Sequence, residues 1–361
     1  MIINRSFKEF KFRHRSNQNQ VIFISKKVKN DEEIINLIDN FLIEKNSFIF
    51  ESVEKGEIKG RYTIFGKNPD KIWEFNDSNS YQIKNGKKIT LKEKPEKLIE
   101  KIIEEFKFET PKNLPKICSL ISGFFSYDAI RYIEKIPNSC KNDLKLPDVR
   151  LLRPRTLIIH DNLEKKIFFI NNIFKDEKIK NYQTKYNEIK SDLYKLQIQS
   201  SIKSLHNNIN LRSKKIKVKS NTSKNKFINM VKKAKKYIQL GDIFQVVLSQ
   251  RFEAKLTKKP IEIYKKLRAT NPSPFMFFFN FSDFQIIGAS PEILVRLRDN
   301  NITVRPIAGT RPRGKNSKED RFYEKDLLND KKELSEHLML LDLGRNDAGK
   351  VSKINSVKVT E

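Results

Sequence analysis

KKELSEHLMLLDLGRND, residues 331–347, sets Glu333 and Glu336 three positions apart, with His337 next to the second. On a helix, residues at i and i+3 share a face. Two carboxylates so placed could hold Mg2+ or work as acid and base; a solvated acidic stripe beside lysines has the same pattern. Glu292 offers a third carboxylate in GASPEILV, where Gly288 and Pro291 fix a turn after a strand. RPIAGTRPRG, residues 305–314, sets Gly309 and Thr310 among arginines. Glycine lets a ligand approach the backbone, and the hydroxyl and neighbouring N–H groups can donate to an anion. A turn with a basic rim is the other reading.

These residues need elements to hold them. Phe227, Val231, Ala234 and Ile238 recur at helical spacing, and Gly241 supplies a stop. DIFQVVLSQRF, 242–252, predicts a strand with Gln245 in its first half, and 264–268 lie in a helix. MFFFNF, IIGAS, ILVRL and ITVRPI read as strands in quick succession with tight turns, an antiparallel arrangement. Residues 324–343 predict one helix with Leu327, Leu334, Leu338 and Leu341 on or near a stripe. Upstream, 48–50, 62–65, 117–125, 156–160 and 167–170 read as strands. Helices are expected over 32–42, 95–106 and 175–196. The segment 197–226 is rich in Ser, Asn and Lys and reads as a linker between regions 1–196 and 227–361. Strands and long helices without βαβ alternation argue an α+β fold.

The chain has 361 residues, 38% hydrophobic, enough for one large or two ordinary domains. No apolar run approaches the ~20 residues that span a bilayer. MIINRSFKEFKFRHR carries charge where a signal peptide needs its apolar stretch. Cys118 and Cys140 lack metal-ligand spacing and read as reduced residues of a cytoplasmic protein. The net charge of +29 comes from 73 Lys plus Arg against 44 Asp plus Glu. The excess is mostly lysine spread along the chain, and no helix shows an arginine-lined face with interleaved aromatics. That is a compositional bias rather than a nucleic-acid footprint.

GDIFQVVLSQRF, NPSPFMFFFNF, IIGASPEILV, RPIAGTRPRG and KELSEHLMLLDLGRNDAGKVS occur in order at close spacing. Together they resemble the chorismate-utilising enzymes, and within them the large subunits of anthranilate synthase, component I. FESVEKGEIKGRYTIFG and GFFSYDAIRYIEKIP extend the resemblance over nearly the whole chain. It implies large, mostly antiparallel sheets flanked by helices, and a pocket for chorismate, a dianion, at Gly309 and Thr310. It implies addition of ammonia to chorismate, then elimination of pyruvate. Glu336 would be a Mg2+ ligand, with the ion acting as a Lewis acid. Glu292 and Glu333 would lie at the metal and leaving-group side, Glu333 as general acid. Ammonia would come from a separate glutamine amidotransferase subunit.

Two positions separate the relatives. Those that add water carry a lysine base where this chain has Gln245, and glutamine cannot deprotonate water. Aminodeoxychorismate-forming relatives usually carry a nucleophilic lysine where this chain has Ala308. A second, regulatory site for tryptophan is implied at Glu51 and Ser52, with Asn271, Pro274, Phe275 and Met276 around the same ligand. The tyrosine common in that motif is Phe275 here.

The family continues beyond KVSKINSVKVTE. A histidine-containing strand segment, substrate loops and a helix with further metal-binding glutamates are expected there. The expectation is a C-terminally shortened pocket that binds Mg2+ poorly and leaves sheet edges and apolar faces exposed. The rival readings are an aminodeoxychorismate synthase component I and a tryptophan-binding remnant without turnover.

Overall fold

The computed structural model describes residues 3–28, 32–54, 57–58, 60–84, 86–202 and 216–360. Period-two alternation builds its central sheet. In Gln20–Lys27 (β1), Ile22 and Ile24 are buried on one face, Val21 and Phe23 on the other. The same division recurs in Ser47–Glu51 (β2), where Ile49 and Phe48 part company. It recurs in Tyr62–Asn76 (β3), Val149–Asp161 (β7) and Lys166–Ile173 (β8), while the flanking Asn79–Lys84 (β4), Lys87–Leu91 (β5) and Ser122–Phe125 (β6) are more open, β5 almost wholly exposed. Both faces are covered, so β8 reads as a nearly unbroken apolar run, IFFI.

Phe275–Asn280 (β9) and Gln285–Ser290 (β10) complete the sheet. Its order is β1-β8-β7-β3-β2-β9-β10, with β4 and β5 beyond β3 and β6 on β7. Every pairing is antiparallel. The β2–β9 ladder joins chain from either side of 197–226, pairing Met276 with Glu51 and Phe278 with Ile49. One sheet therefore takes strands from both regions that the sequence separates.

Helices Phe7–Arg15 (α1), Glu32–Phe41 (α2), Tyr182–Ser201 (α4) and Pro260–Thr270 (α6) cover one face. Pro95–Glu105 (α3) packs Leu98 and Ile102 on Trp73, Phe75 and Leu151. A buried ionic junction ties the β9–β10 turn to the sheet. Arg150 donates from Nε to Glu74 Oε2 (3.0 Å) and from Nη2 to Asp283 Oδ2 (2.9 Å), under the rings of Phe281 and Phe284.

Several expectations change. Residues 242–251 form no strand; only Phe252–Ala254 does, paired with Val218–Ser220. Among the described residues no strand lies beside 242–251 to complete a ladder, and Phe244 and Val247 are 90% and 86% exposed. ILVRL and ITVRPI shrink to a small ladder of Arg296–Arg298 and Asn301–Thr303. The stretch 117–125 starts as a short 3-10 turn, Lys116–Cys118, before β6. Helix α4 begins later than 175 and runs through Ser201. Residues 203–215 of the expected linker lie outside the described residues, and 224–226 already belong to Lys224–Leu240 (α5).

The single helix expected over 324–343 is two, Ser317–Asn329 (α7) and Lys331–Lys350 (α8). Asp330 separates them, extended at φ −75° and ψ 105°, and its carboxylate caps α8. Among the described residues, no helix is long and apolar enough to cross a membrane.

Candidate functional site

The loop 305–314 closes against the α7–α8 break. Gly309 has φ +74°, which glycine adopts without strain. A Cβ there would lie 3.0 Å from Glu333 Oε2 and 3.0 Å from Leu327 Cδ1. The structure therefore brings Gly309 and Glu333 together. Thr310 follows, exposed, its carbonyl accepting from Arg311 Nη1 at 3.1 Å. Glu333, Glu336 and His337 are half-buried on α8.

Arg311 turns its other donors onto the helix break. Nε donates to Asp326 Oδ2 at 2.5 Å and Nη2 to Asp330 Oδ2 at 2.7 Å. Asp330 Oδ1 in turn accepts from the N–H groups of Lys332 (3.0 Å) and Glu333 (3.3 Å). Arg311, then the Glu333 N–H, hold the Asp330 carboxyl below the usual carboxylate range. Sequence reasoning left Asp330 unremarked, although Asp330-x-x-Glu333 is a capping signature.

The other two proposed catalytic residues are exposed. Gln245 is exposed in the irregular 242–251 stretch. Glu292 is exposed just past β10, its backbone N–H and carbonyl both bonded to the Ser290 hydroxyl, at 3.3 and 3.0 Å. Among the described residues no hydrogen bond or ion pair joins either side chain to Glu333 or Glu336. Nor do three or more His, Cys, Asp or Glu gather where they could hold a metal ion. Glu333 and Glu336 thus make an incomplete ligand set for Mg2+, an ion that takes near-octahedral oxygen coordination.

The second cluster is compact. Glu51 ends β2 with its side chain fully buried. It accepts from the Tyr264 hydroxyl and from Arg268 Nε, at 2.8 and 3.0 Å to its two oxygens. Burial and then the Glu51 charge push the Tyr264 hydroxyl well above its ordinary pKa. Met276 faces Glu51 across the ladder and is buried; Phe275 beside it is 44% exposed. Ser52 is half-buried against Gly60, where a Cβ would come within 2.3 Å of the Ser52 Cβ. Asn271 caps α6, and Pro274 leads into β9, both exposed. The sheet thus brings Glu51, Ser52, Phe275 and Met276 to one corner, joined where the Val53 N–H meets the Ser273 carbonyl at 2.9 Å. Tyr264 and Arg268 were missed as members. Their i, i+4 spacing on α6 is the signal that sets them on one face.

A cavity of about 600 Å3 opens elsewhere, among Arg13, Asn19, Glu105, Lys107, Glu109 and Lys175. It shares no residue with either cluster, and its polar groups pair with one another, Arg13 with Glu109 and Asn19 with the backbone of Lys107 and Lys175.

Comparison with known proteins places the chain in a family. The family model described as chorismate binding enzyme matches residues 46–361. Anthranilate synthase component 1 of Cereibacter sphaeroides is 38% identical over 362 residues, covering 99% of this chain and 72% of that one. The Acetivibrio thermocellus protein of the same name is 39% identical over 333 residues, 91% of this chain and 67% of its own. The crystal structure of anthranilate synthase component I from Streptococcus pneumoniae superposes with a TM-score of 0.71 at 32% identity, over 84% of this chain and 65% of that one. With a family match over most of its length and such relatives, the chain belongs to the chorismate-binding enzymes, in the branch of anthranilate synthase component 1.

Proposed function

We propose that this chain converts chorismate and ammonia to anthranilate, pyruvate and water, the first committed step toward tryptophan. The observation that carries the reading is the 38% identity to an anthranilate synthase component 1 across 99% of the chain. In the ring-amination step ammonia forms a C–N bond and the ring hydroxyl departs as water. Elimination then breaks the enol-ether C–O bond and releases pyruvate. Gly309 and Thr310 receive the dianion, and Glu333, against Gly309, delivers the proton to the leaving hydroxyl. Glu292 supports the same side. Gln245 offers no base for water, and Ala308 no nucleophile, so ammonia attacks from solution or from a partner.

A glutamine amidotransferase subunit is the proposed source of ammonia, in keeping with the words "component 1" in the relatives' names. Mg2+ is the proposed cofactor, with Glu336 contributing one ligand. Among the described residues the carboxylates do not complete its coordination. Tryptophan is the proposed feedback ligand, at Glu51, Ser52, Asn271, Pro274, Phe275 and Met276. The reading places this biosynthetic protein in the cytoplasm.

Anthranilate fluorescence tests the proposal: chorismate, an ammonium salt and Mg2+ are added to the purified protein at mildly alkaline pH. Growth of the signal supports it; none from a folded sample counts against it. A second reading, tryptophan binding without turnover, draws on the contrast between the compact Glu51 cluster and the scattered Gln245 and Glu292. Tryptophan binding by calorimetry from a sample that makes no anthranilate would favour it.

A further inference from the structure

The contacts around Arg311 close a circuit. Arg311 donates to the Thr310 carbonyl and to Asp330, Asp330 caps the N–H of Glu333, and Glu333 lies on Gly309. The substrate loop and the acid thus reach each other twice, once directly and once through Arg311 and the helix cap. We propose that Arg311 is a positioning residue for Glu333: by joining Asp326 and Asp330 across the α7–α8 break, it fixes where α8 starts and so where the Glu333 carboxylate meets the loop. This rests on the proposed amination of chorismate, with Glu333 as its acid.

The chemistry of the fork explains why arginine suits the place. Nε and Nη2 point along parallel directions in one rigid plane, so one side chain can hold two carboxylates from two helices in fixed relation. A lysine has one charge centre and cannot fix both. Arg313, two residues on, pairs among the described residues with Asp320 and is 91% exposed, so it has no comparable hold on α8.

The test is a double-mutant cycle on kcat with Arg311→Met, Glu333→Gln and the pair, alongside hydrogen exchange of the α8 amides. Arg311→Met is expected to lower kcat about 100-fold, the scale of a misplaced catalytic group, with KM for chorismate changed less than about threefold. In the Glu333→Gln background it should cost no more than about threefold, because the group it positions is already disabled. Exchange at Lys332 and Glu333 should rise while that of α4 stays as it was. Arg311→Lys should recover about tenfold of the loss. Should Arg311→Met fail to fold, Asp330→Asn enters the same cycle, since asparagine keeps the cap but loses the charge. Equal losses of kcat with and without the Glu333 carboxylate would overturn the proposal. A wild-type protein that makes no anthranilate sinks the reaction itself; exchange then decides the contact alone, and unchanged exchange in Arg311→Met overturns that too.

Discussion

Arg268 sets its Nε 2.8 and 3.0 Å from the two oxygens of Glu51, joining α6 to the end of β2 across 217 residues of chain. Tyr264, one helical turn earlier, gives the same carboxylate a third hydrogen bond. A carboxylate with a fully buried side chain is tolerable only because all three hydrogen bonds, from these two donors, are in place. Arg268→Met removes the charge and leaves Glu51 with Tyr264 alone. Breaking a buried pair from one side typically costs about 3 kcal/mol or more. A urea titration should register a loss of that order. A variant as stable as wild type would mean that the pair is not formed in solution.

Gly309 makes the next test, with a built-in control. Gly309 and Gly86 share nearly the same left-handed φ, +74° and +75°. A Cβ on Gly86 meets nothing within 4 Å, whereas one on Gly309 meets Glu333 and Leu327 at 3.0 Å. Gly86→Ala should therefore lose only the left-handed strain, about 1 kcal/mol, and keep full turnover. Gly309→Ala carries the same strain and also pushes the Glu333 carboxylate aside. Its kcat should fall at least tenfold, roughly what a displaced catalytic group costs. Equal kcat in the two alanine variants would refute the assignment of Glu333 to this loop.

How much of this was legible follows from the range of each interaction. MFFFNF and IFFI declare strands because β-rich apolar runs of that length fit little else, and both are strands. That β9 would dock on β2 was not legible, because ladder partners leave no local trace. The same blindness misled at DIFQVVLSQR, 242–251, where strand-forming residues find no ladder among the described elements. The α7–α8 break was missed for another reason. No Gly or Pro marks it, and the leucine stripe runs across it, so periodicity saw one helix; the cap at Asp330 was the overlooked local signal. Of the site, Gly309 and Glu333 were named from motifs and do meet. Arg268 and Tyr264 were invisible as partners because their role depends on a carboxylate far away in the chain.

Asp330 gives a pH signature. Its carboxyl is held below the ordinary range by Arg311 and by the Glu333 N–H. The folded state therefore favours the carboxylate. The resulting stability is fully present above the unfolded pKa and disappears as pH falls through the lower, folded value. Asp330→Asn lacks this contribution at every pH while keeping the helix cap. The difference in Tm between wild type and variant should thus be visible near neutrality and close as pH falls below the usual carboxylate range. Added salt should shrink it, since the group is solvent-facing. A gap that persists undiminished at low pH would show that charge on Asp330 does not matter.

The last prediction concerns Phe275, whose neighbours Met276 and Glu51 form the buried wall of the proposed tryptophan site. Phe275 pairs with Ser290 in the β9–β10 ladder and keeps 44% of its surface exposed, so its ring edge has room for a further group. Phe275→Tyr adds a hydroxyl there without enlarging the buried core. One new hydrogen bond, to ligand or protein, contributes about 1 kcal/mol, or roughly a fivefold change in binding. Tryptophan should accordingly inhibit anthranilate formation at about fivefold lower concentration in the variant. Arg268→Met should act in the opposite direction, because it frees the Glu51 carboxylate from the geometry that the site needs. Both variants inhibited at the wild-type concentration would place tryptophan somewhere other than this corner of the sheet.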